Sequence, residues 1–116
     1  INEIKGTTAG LIIGDRALQQ RQYFPYMYDL AGEWKTATGL PFVFAAWVSN
    51  KKLDDEFIEK FNQANAFGFK YLEKVIEQNP YKTYSLKKYY TENISYILYD
   101  EKRKGLNLYL QKLQTI

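Results

Sequence analysis

The sequence contains no cysteine and no histidine. Without cysteine there are no disulfide bonds and no thiolate metal ligands, and without histidine there is no imidazole acid or base and no histidine-ligated zinc. Any proton transfer by this chain therefore falls to Asp, Glu, Lys or Tyr side chains. The acids Asp54, Asp55 and Glu56 fit the first turn of a helix, where they interact with its dipole, so we assign no metal.

Long apolar runs are also missing from the sequence. The longest, Leu40 to Val48, is far shorter than the roughly 20 residues of a membrane helix, and no basic start followed by an apolar stretch indicates a signal peptide. We therefore expect a cytoplasmic protein with no membrane partner. The charge is nearly balanced, with 16 basic and 13 acidic side chains, and the lysines are spread over several segments, so we expect no nucleic-acid partner either.

What the sequence does contain is apolar and aromatic residues, with 46% hydrophobic residues, 11 tyrosines and 7 phenylalanines in 116 residues. This is enough for one packed core. Apolar runs predict strands at 9–13, 40–48 and 94–98. Caps and a spacing of three and four residues predict helices at 16–22, 29–38 and 54–78, from Ser85, and from Asp100, with Asp15, Asp29 and Asp100 as capping residues.

The alternation of these elements predicts an α/β fold with few strands and a helix-rich C-terminal half. Only the strands at 9–13 and 40–48 are well defined, and two fully apolar strands leave edges and faces exposed in an isolated sheet. We therefore expect further strands to come from outside this chain, and we expect the exposed strands to allow self-association.

Three segments resemble a known family in order and spacing: GLIIGDRAL at 10–18, YDLAGEWKTATGLPFVFAAWVSN at 28–50 and LKKYYTENISYILYDEKRKGLNLYLQKL at 86–113. Together they are similar to the C-terminal part of the chorismate dehydratases of menaquinone biosynthesis by the futalosine route. The dihydroxynaphthoate synthases of the same pathway share the Trp-containing helix and the Thr-Gly-Leu-Pro that follows it. The segment Phe42 to Trp47 favours the dehydratase branch.

The resemblance implies a two-lobed fold of the type-2 periplasmic-binding-protein kind. Residues 1–27 would form the end of the second lobe and the crossing segment, and residues 28–116 the C-terminal part of the first lobe with its helical cover. The family's chains are longer, so the resemblance also implies that this chain is a fragment of an enzyme.

The implied reaction is a lyase reaction that removes water from chorismate to give 3-[(1-carboxyvinyl)oxy]benzoate, without a cofactor. Because the elimination makes the ring aromatic, positioning and charge stabilisation are expected to dominate its catalysis. Three alternatives stay open: a solute-binding module of the same fold without chemistry, the dihydroxynaphthoate synthase activity, and a small stand-alone helical domain with a short sheet.

Four residues are predicted to bind the substrate: Gly14, Asp15, Arg16 and Tyr28. Gly14 and Asp15 follow the first predicted strand, and ligands of open α/β sheets bind beyond the carboxyl ends of strands. Asp15 would accept from a substrate hydroxyl, although capping the next helix also explains it. Arg16 would face a carboxylate, and Tyr28 would donate from the crossing segment. No catalytic residue is assigned.

Overall fold

The computed structural model describes residues 4–115. Within this range the chain consists of helices joined by turns and extended segments. The helices are α1 (Asp15–Gln20), α2 (Leu30–Thr38), α3 (Asp55–Phe67), α4 (Leu72–Gln78), α5 (Leu86–Lys88) and α6 (Asp100–Leu113). A 3-10 turn, Gly68–Tyr71, joins α3 to α4, and a π turn, Tyr89–Asn93, continues α5.

Side-chain caps define the start of three helices. The Asp29 carboxylate accepts from two backbone N–H groups at the start of α2, and the Asp54 carboxylate accepts from the Phe57 N–H at 2.6 Å at the start of α3. The Ser85 hydroxyl accepts from the Lys88 N–H at 3.2 Å. Each bond satisfies a donor that a helix N-terminus leaves free. The helix starts predicted at these three residues are confirmed.

The other two predicted caps are wrong. α1 is capped by Gly14, and Asp15 is already its first residue and makes no capping hydrogen bond. α6 follows Tyr99, so Asp100 lies in its first turn, where its charge still suits the helix dipole.

The predicted α/β fold is wrong for the described residues, which contain no strand and no sheet. The segments 9–13, 40–48 and 94–98 form neither helix nor strand, and none pairs with another. Consequently residues 4–115 do not form the expected lobe of a two-lobed type-2 periplasmic-binding-protein-like fold. The division of the chain between residues 27 and 28 remains a prediction.

The segment 40–48 fails to form a strand because its neighbours in space are helices. Phe42 packs edge-to-face against Trp34 of α2 and Tyr109 of α6, with ring centroids 5.8 and 5.0 Å apart. Trp34 and Tyr109 also contact each other, at 5.7 Å. The Trp34 indole nitrogen is buried and has no hydrogen-bond partner within residues 4–115. Leu40 to Val43 are half-buried in this packing, whereas Phe44 to Val48 are exposed, so the apolar composition indicated a segment that packs only at its start. Strand pairing needs a backbone partner that these helices do not offer.

α6 is held to the extended segments at two points. Gly105 is buried, and a side chain there would overlap the Pro41 carbonyl oxygen, so glycine is what allows this close approach. The Lys102 ammonium donates to the carbonyls of Ser95 and Ile97, at 2.6 and 2.8 Å, and to the Ser95 hydroxyl at 2.9 Å. Lys102 is 8% exposed, and burial lowers its pKa from the usual 10.5.

The chain buries little apolar surface for its size. No apolar side chain is fully buried among the described residues, and the accessible surface is 10614 Å². A folded monomer of 13.7 kDa is expected to expose about 6,600 Å². The radius of gyration is 17.6 Å, against about 13 Å for a compact domain of this length. About 4,000 Å² of surface is therefore exposed beyond that of a compact domain.

Candidate functional site

A groove of about 330 Å³ opens between the start of α1, the end of α4 and the segment from α5 into the π turn. The groove is open to solvent, because three of the residues that line it are exposed and five are half-buried. The residues that line it combine one carboxylate, one amide and three phenols with apolar side chains: Asp15, Leu18, Asn79, Pro80, Tyr81, Leu86, Tyr89 and Tyr90.

The α1 side of the groove depends on the backbone at Gly14. Gly14 has a φ of 62° and a ψ of −149°, a conformation that is almost restricted to glycine. This turn redirects the extended segment before it into α1. As a result, the first residue of α1, Asp15, lies at the groove, with Leu18 one turn further on.

The opposite side is formed where α4 ends. The Asn79 side-chain amide donates to the Val75 carbonyl at 2.9 Å, in addition to the Asn79 backbone N–H at 3.1 Å, and Pro80 cannot continue the helix. The chain then turns so that the Tyr81 hydroxyl donates to the Asp15 backbone carbonyl at 3.4 Å. This bond connects the two sides of the groove.

The third side is the π turn. The Ile94 N–H donates to the Tyr89 carbonyl at 3.1 Å, five residues earlier, and the wider turn places two consecutive tyrosines, Tyr89 and Tyr90, at the groove. Their rings contact edge-to-face at 5.5 Å. Single π turns of this kind are frequent at functional sites.

A further tyrosine, Tyr96, belongs to the same group of phenols. Burial raises its pKa above 10.0, and the neighbouring Tyr90 and Tyr89 raise it further. Tyr96 also packs against Phe69, with ring centroids 4.6 Å apart. Its hydroxyl therefore keeps its proton over the physiological pH range.

These groups define what the groove can bind. Its apolar and aromatic walls suit a flat six-membered ring, and its phenols and amide can donate to oxygen atoms. Asp15 is the one charged residue in the lining, and as a carboxylate it accepts hydrogen bonds. The groove is consequently suited to a ring that carries hydroxyl and ether oxygens, and any carboxylates of such a ligand must find cations outside the lining.

Of the four predicted site residues, the structure brings one into the lining of the groove. Asp15 lines the groove, and Gly14 shapes the turn before it. Arg16 is exposed next to Asp15 but does not line the groove. Tyr28 is 79% exposed and also lies outside the lining.

Sequence reasoning did not find the tyrosines at positions 81, 89 and 90. The available signal was the density of tyrosines from Tyr81 to Tyr96 in a segment that follows a helix-terminating Asn-Pro pair.

A second, shallower groove of about 410 Å³ is lined by Lys52, Leu53, Asp54 and Asp55. Asp54 already caps α3, so its carboxylate is occupied. Within residues 4–115, no group of three or more acidic side chains is arranged to hold a metal ion. Among the helices described here, none is long and apolar enough to span a bilayer.

Comparison with known proteins identifies one family. The family model described as menaquinone biosynthesis matches residues 1–115. The match therefore covers nearly the whole chain, including every residue that lines the groove. No solved structure matches the chain.

Proposed function

The chain belongs to the menaquinone biosynthesis family, and we propose that it serves a carbon–oxygen lyase that dehydrates chorismate to 3-[(1-carboxyvinyl)oxy]benzoate. The family match confirms the resemblance seen in the sequence at the level of an enzyme family of this pathway, and it gives the chain a role in menaquinone biosynthesis. The choice of chorismate as substrate rests on the residues discussed next.

The observation that supports this choice is a single carboxylate, Asp15, in a groove walled by tyrosines and apolar side chains. Chorismate is a six-membered ring with one hydroxyl, two carboxylates and an enolpyruvyl ether. Asp15 can accept from the ring hydroxyl and so hold the ring in place; the hydroxyl leaves as water together with the proton lost from the neighbouring ring carbon. Tyr89 and Tyr90 offer ring faces and edges to the substrate ring, and the phenols can donate to its oxygens.

The chemistry matches a chain without histidine or cysteine. The elimination breaks a C–O bond and a C–H bond and forms an aromatic ring, so aromaticity supplies the driving force. Catalysis then depends mainly on holding the ring so that the departing proton and hydroxyl are aligned, and on placing charges around them.

The substrate carboxylates require positive charge near the groove. Arg16 is the next residue of α1 and is exposed, so its side chain can reach a carboxylate at the rim without entering the groove. A guanidinium binds a carboxylate through two parallel hydrogen bonds. We propose that Arg16 provides this contact while Asp15 meets the hydroxyl.

Chorismate binding tests the site directly. We expect Asp15→Asn to weaken binding by about tenfold, the effect of losing roughly 1.4 kcal/mol of interaction. Asp55→Asn is the matched control, because Asp55 is also an exposed acid in a first helical turn. It should leave binding unchanged. Equal affinities of the two variants would contradict the assignment of the groove.

The reaction is tested by following chorismate loss and the appearance of an aromatic product. Turnover that Asp15→Asn abolishes supports the lyase. Tight binding of chorismate without turnover would instead favour a solute-binding module. Turnover of a naphthalene precursor in place of chorismate would favour the dihydroxynaphthoate synthase branch.

A further inference from the structure

The segment that carries Tyr89 and Tyr90 is closed by a hydrogen bond between its two ends. Tyr84 lies immediately before the Ser85 cap of α5, and its hydroxyl donates to the side-chain carbonyl of Asn93 at 2.8 Å. Asn93 is the last residue of the π turn. Neither Tyr84 nor Asn93 lines the groove, so the bond affects the groove only through the segment that it encloses.

We propose that Tyr84 and Asn93 are positioning residues, whose hydrogen bond holds the segment 84–93 in the conformation that places Tyr89 and Tyr90 at the groove. Neither of the two touches the ligand; they act through the tyrosines. That the ligand is chorismate rests on the proposed function, whereas the effect of the bond on the two tyrosines is a property of the protein alone.

The segment needs such a bond because its regular structure is short and unusual. α5 has 3 residues, and a helix of this length is marginal without outside contacts. In the π turn the Tyr89 carbonyl accepts from the Ile94 N–H at 3.1 Å, where an α-helical turn would use the N–H of Asn93. Rewinding the turn to α-helical geometry rotates Asn93 about the helix axis and away from Tyr84. The Tyr84–Asn93 bond therefore favours the π form.

The flanks of the segment are attached to neighbouring helices by other contacts. On the entry side, Lys87 of α5 forms a salt bridge with Glu73 of α4 at 2.7 Å, but both side chains are exposed, and such pairs contribute little to stability. On the exit side, the Lys102 ammonium of α6 donates to the Ser95 carbonyl at 2.6 Å, two residues beyond the turn. The winding between these flanks then depends on contacts within the segment, and the Tyr84–Asn93 bond joins its two ends.

The winding matters for the groove because Tyr89 and Tyr90 act as a pair. Their rings contact edge-to-face at 5.5 Å and form one side of the groove. Rewinding of the turn moves both rings together, because consecutive residues rotate about the same axis. Loss of one neutral hydrogen bond shifts an equilibrium of this kind by about fivefold. The affinity for a ring bound between the tyrosines falls as the competent form becomes less populated.

Substitutions at the two ends of the segment test the bond. Tyr84→Phe removes only the hydroxyl, and Asn93→Ala removes its acceptor. Each should weaken chorismate binding by about two- to fivefold. The double variant should bind no more weakly than the weaker single variant, because all three lack the same bond. Effects that multiply in the double variant would overturn the proposal.

The matched control is Tyr71→Phe. Within residues 4–115 the hydroxyls of Tyr81 and Tyr84 donate to protein acceptors, whereas that of Tyr71 does not. Its removal should leave chorismate binding unchanged. Binding is measured at a temperature where circular dichroism shows every variant to be fully folded, so that a loss of stability alone does not change the affinity.

A measurement without ligand separates this proposal from the assignment of chorismate. Tyr84→Phe should shift the NMR resonances of the Tyr89 and Tyr90 rings, and Tyr71→Phe should not. Unshifted ring resonances, or an unchanged affinity in a protein that binds chorismate, would overturn the proposal. If the unmodified chain binds no chorismate, the proposed function is wrong, and the ring resonances then decide whether Tyr84 and Asn93 position the two tyrosines.

Discussion

The close approach of α6 to Pro41 predicts that an alanine at position 105 destabilises the protein. In an ordinary helix, Gly→Ala stabilises by about 0.5–1 kcal/mol, because alanine has less backbone freedom to lose on folding. At Gly105, however, the added Cβ would overlap the Pro41 carbonyl oxygen and would lie 3.5 Å from the Leu40 Cβ. A backbone oxygen cannot rotate away as a flexible side chain can, so α6 and the extended segment must move apart.

Overpacking of this kind costs about 1–3 kcal/mol, which exceeds the gain from helix propensity. We therefore expect Gly105→Ala to lose about 1 kcal/mol of stability, which lowers the Tm by roughly 4–8 °C in a domain of this size. Gly68→Ala is the matched control. Gly68 is exposed, has α-helical dihedral angles, and has no atom within 4 Å of the position of an added Cβ. This variant should be stabilised by up to about 1 kcal/mol.

Thermal and urea unfolding, followed by circular dichroism, measure both variants in the same buffer. The two changes in unfolding free energy are expected to have opposite signs. If Gly105→Ala were as stable as Gly68→Ala, α6 would not contact Pro41 in solution, and the packing of α6 on the extended segment would be refuted.

Three further variants test other contacts. Lys102→Met leaves the carbonyls of the 94–98 segment without their donor and should cost about 1–3 kcal/mol, seen as faster amide exchange in that segment. Because burial lowers the Lys102 pKa below 10.5, the unfolded chain binds more protons as the pH approaches that value. Stability should therefore rise with pH in this alkaline window, and the Met variant should lose this rise when urea melts are compared. Asp54→Ala removes the bond from the Phe57 N–H and should cost about 1 kcal/mol, with amide exchange at the start of α3 as the readout. Glu73→Gln removes the partner that raises the pKa of Lys87, so an NMR titration should show that pKa fall, and an unchanged value would contradict the contact at 2.7 Å.

The helix starts could be predicted because their causes are local. Asp29, Asp54 and Ser85 each bond to an N–H group no more than three residues away, so a short stretch of sequence contains both partners. Gly39 ends α2 in a left-handed conformation with a φ of 72°, again a property of one residue.

The strands were predicted wrongly because pairing is not local. Nothing in the sequence 40–48 indicates whether a second strand or a helix will lie beside it, and here the neighbours are aromatic side chains of α2 and α6. The groove was half predicted for a similar reason. The Gly-Asp turn identified Asp15, but the bond from Tyr81 to Asp15 joins residues 66 positions apart. A sequence alone gives no measure of that distance.

The two tryptophans of the chain differ in their surroundings, and this has a spectroscopic consequence. The Trp34 indole nitrogen is buried within the aromatic packing on α2, whereas Trp47 is 82% exposed. We therefore expect two fluorescence components. Trp34 should emit at shorter wavelength and be quenched slowly by soluble quenchers, and Trp47 should emit at longer wavelength and be quenched quickly. The two tryptophans are thus intrinsic fluorescent probes of two different regions, Trp34 of the packing between helices and Trp47 of the exposed segment.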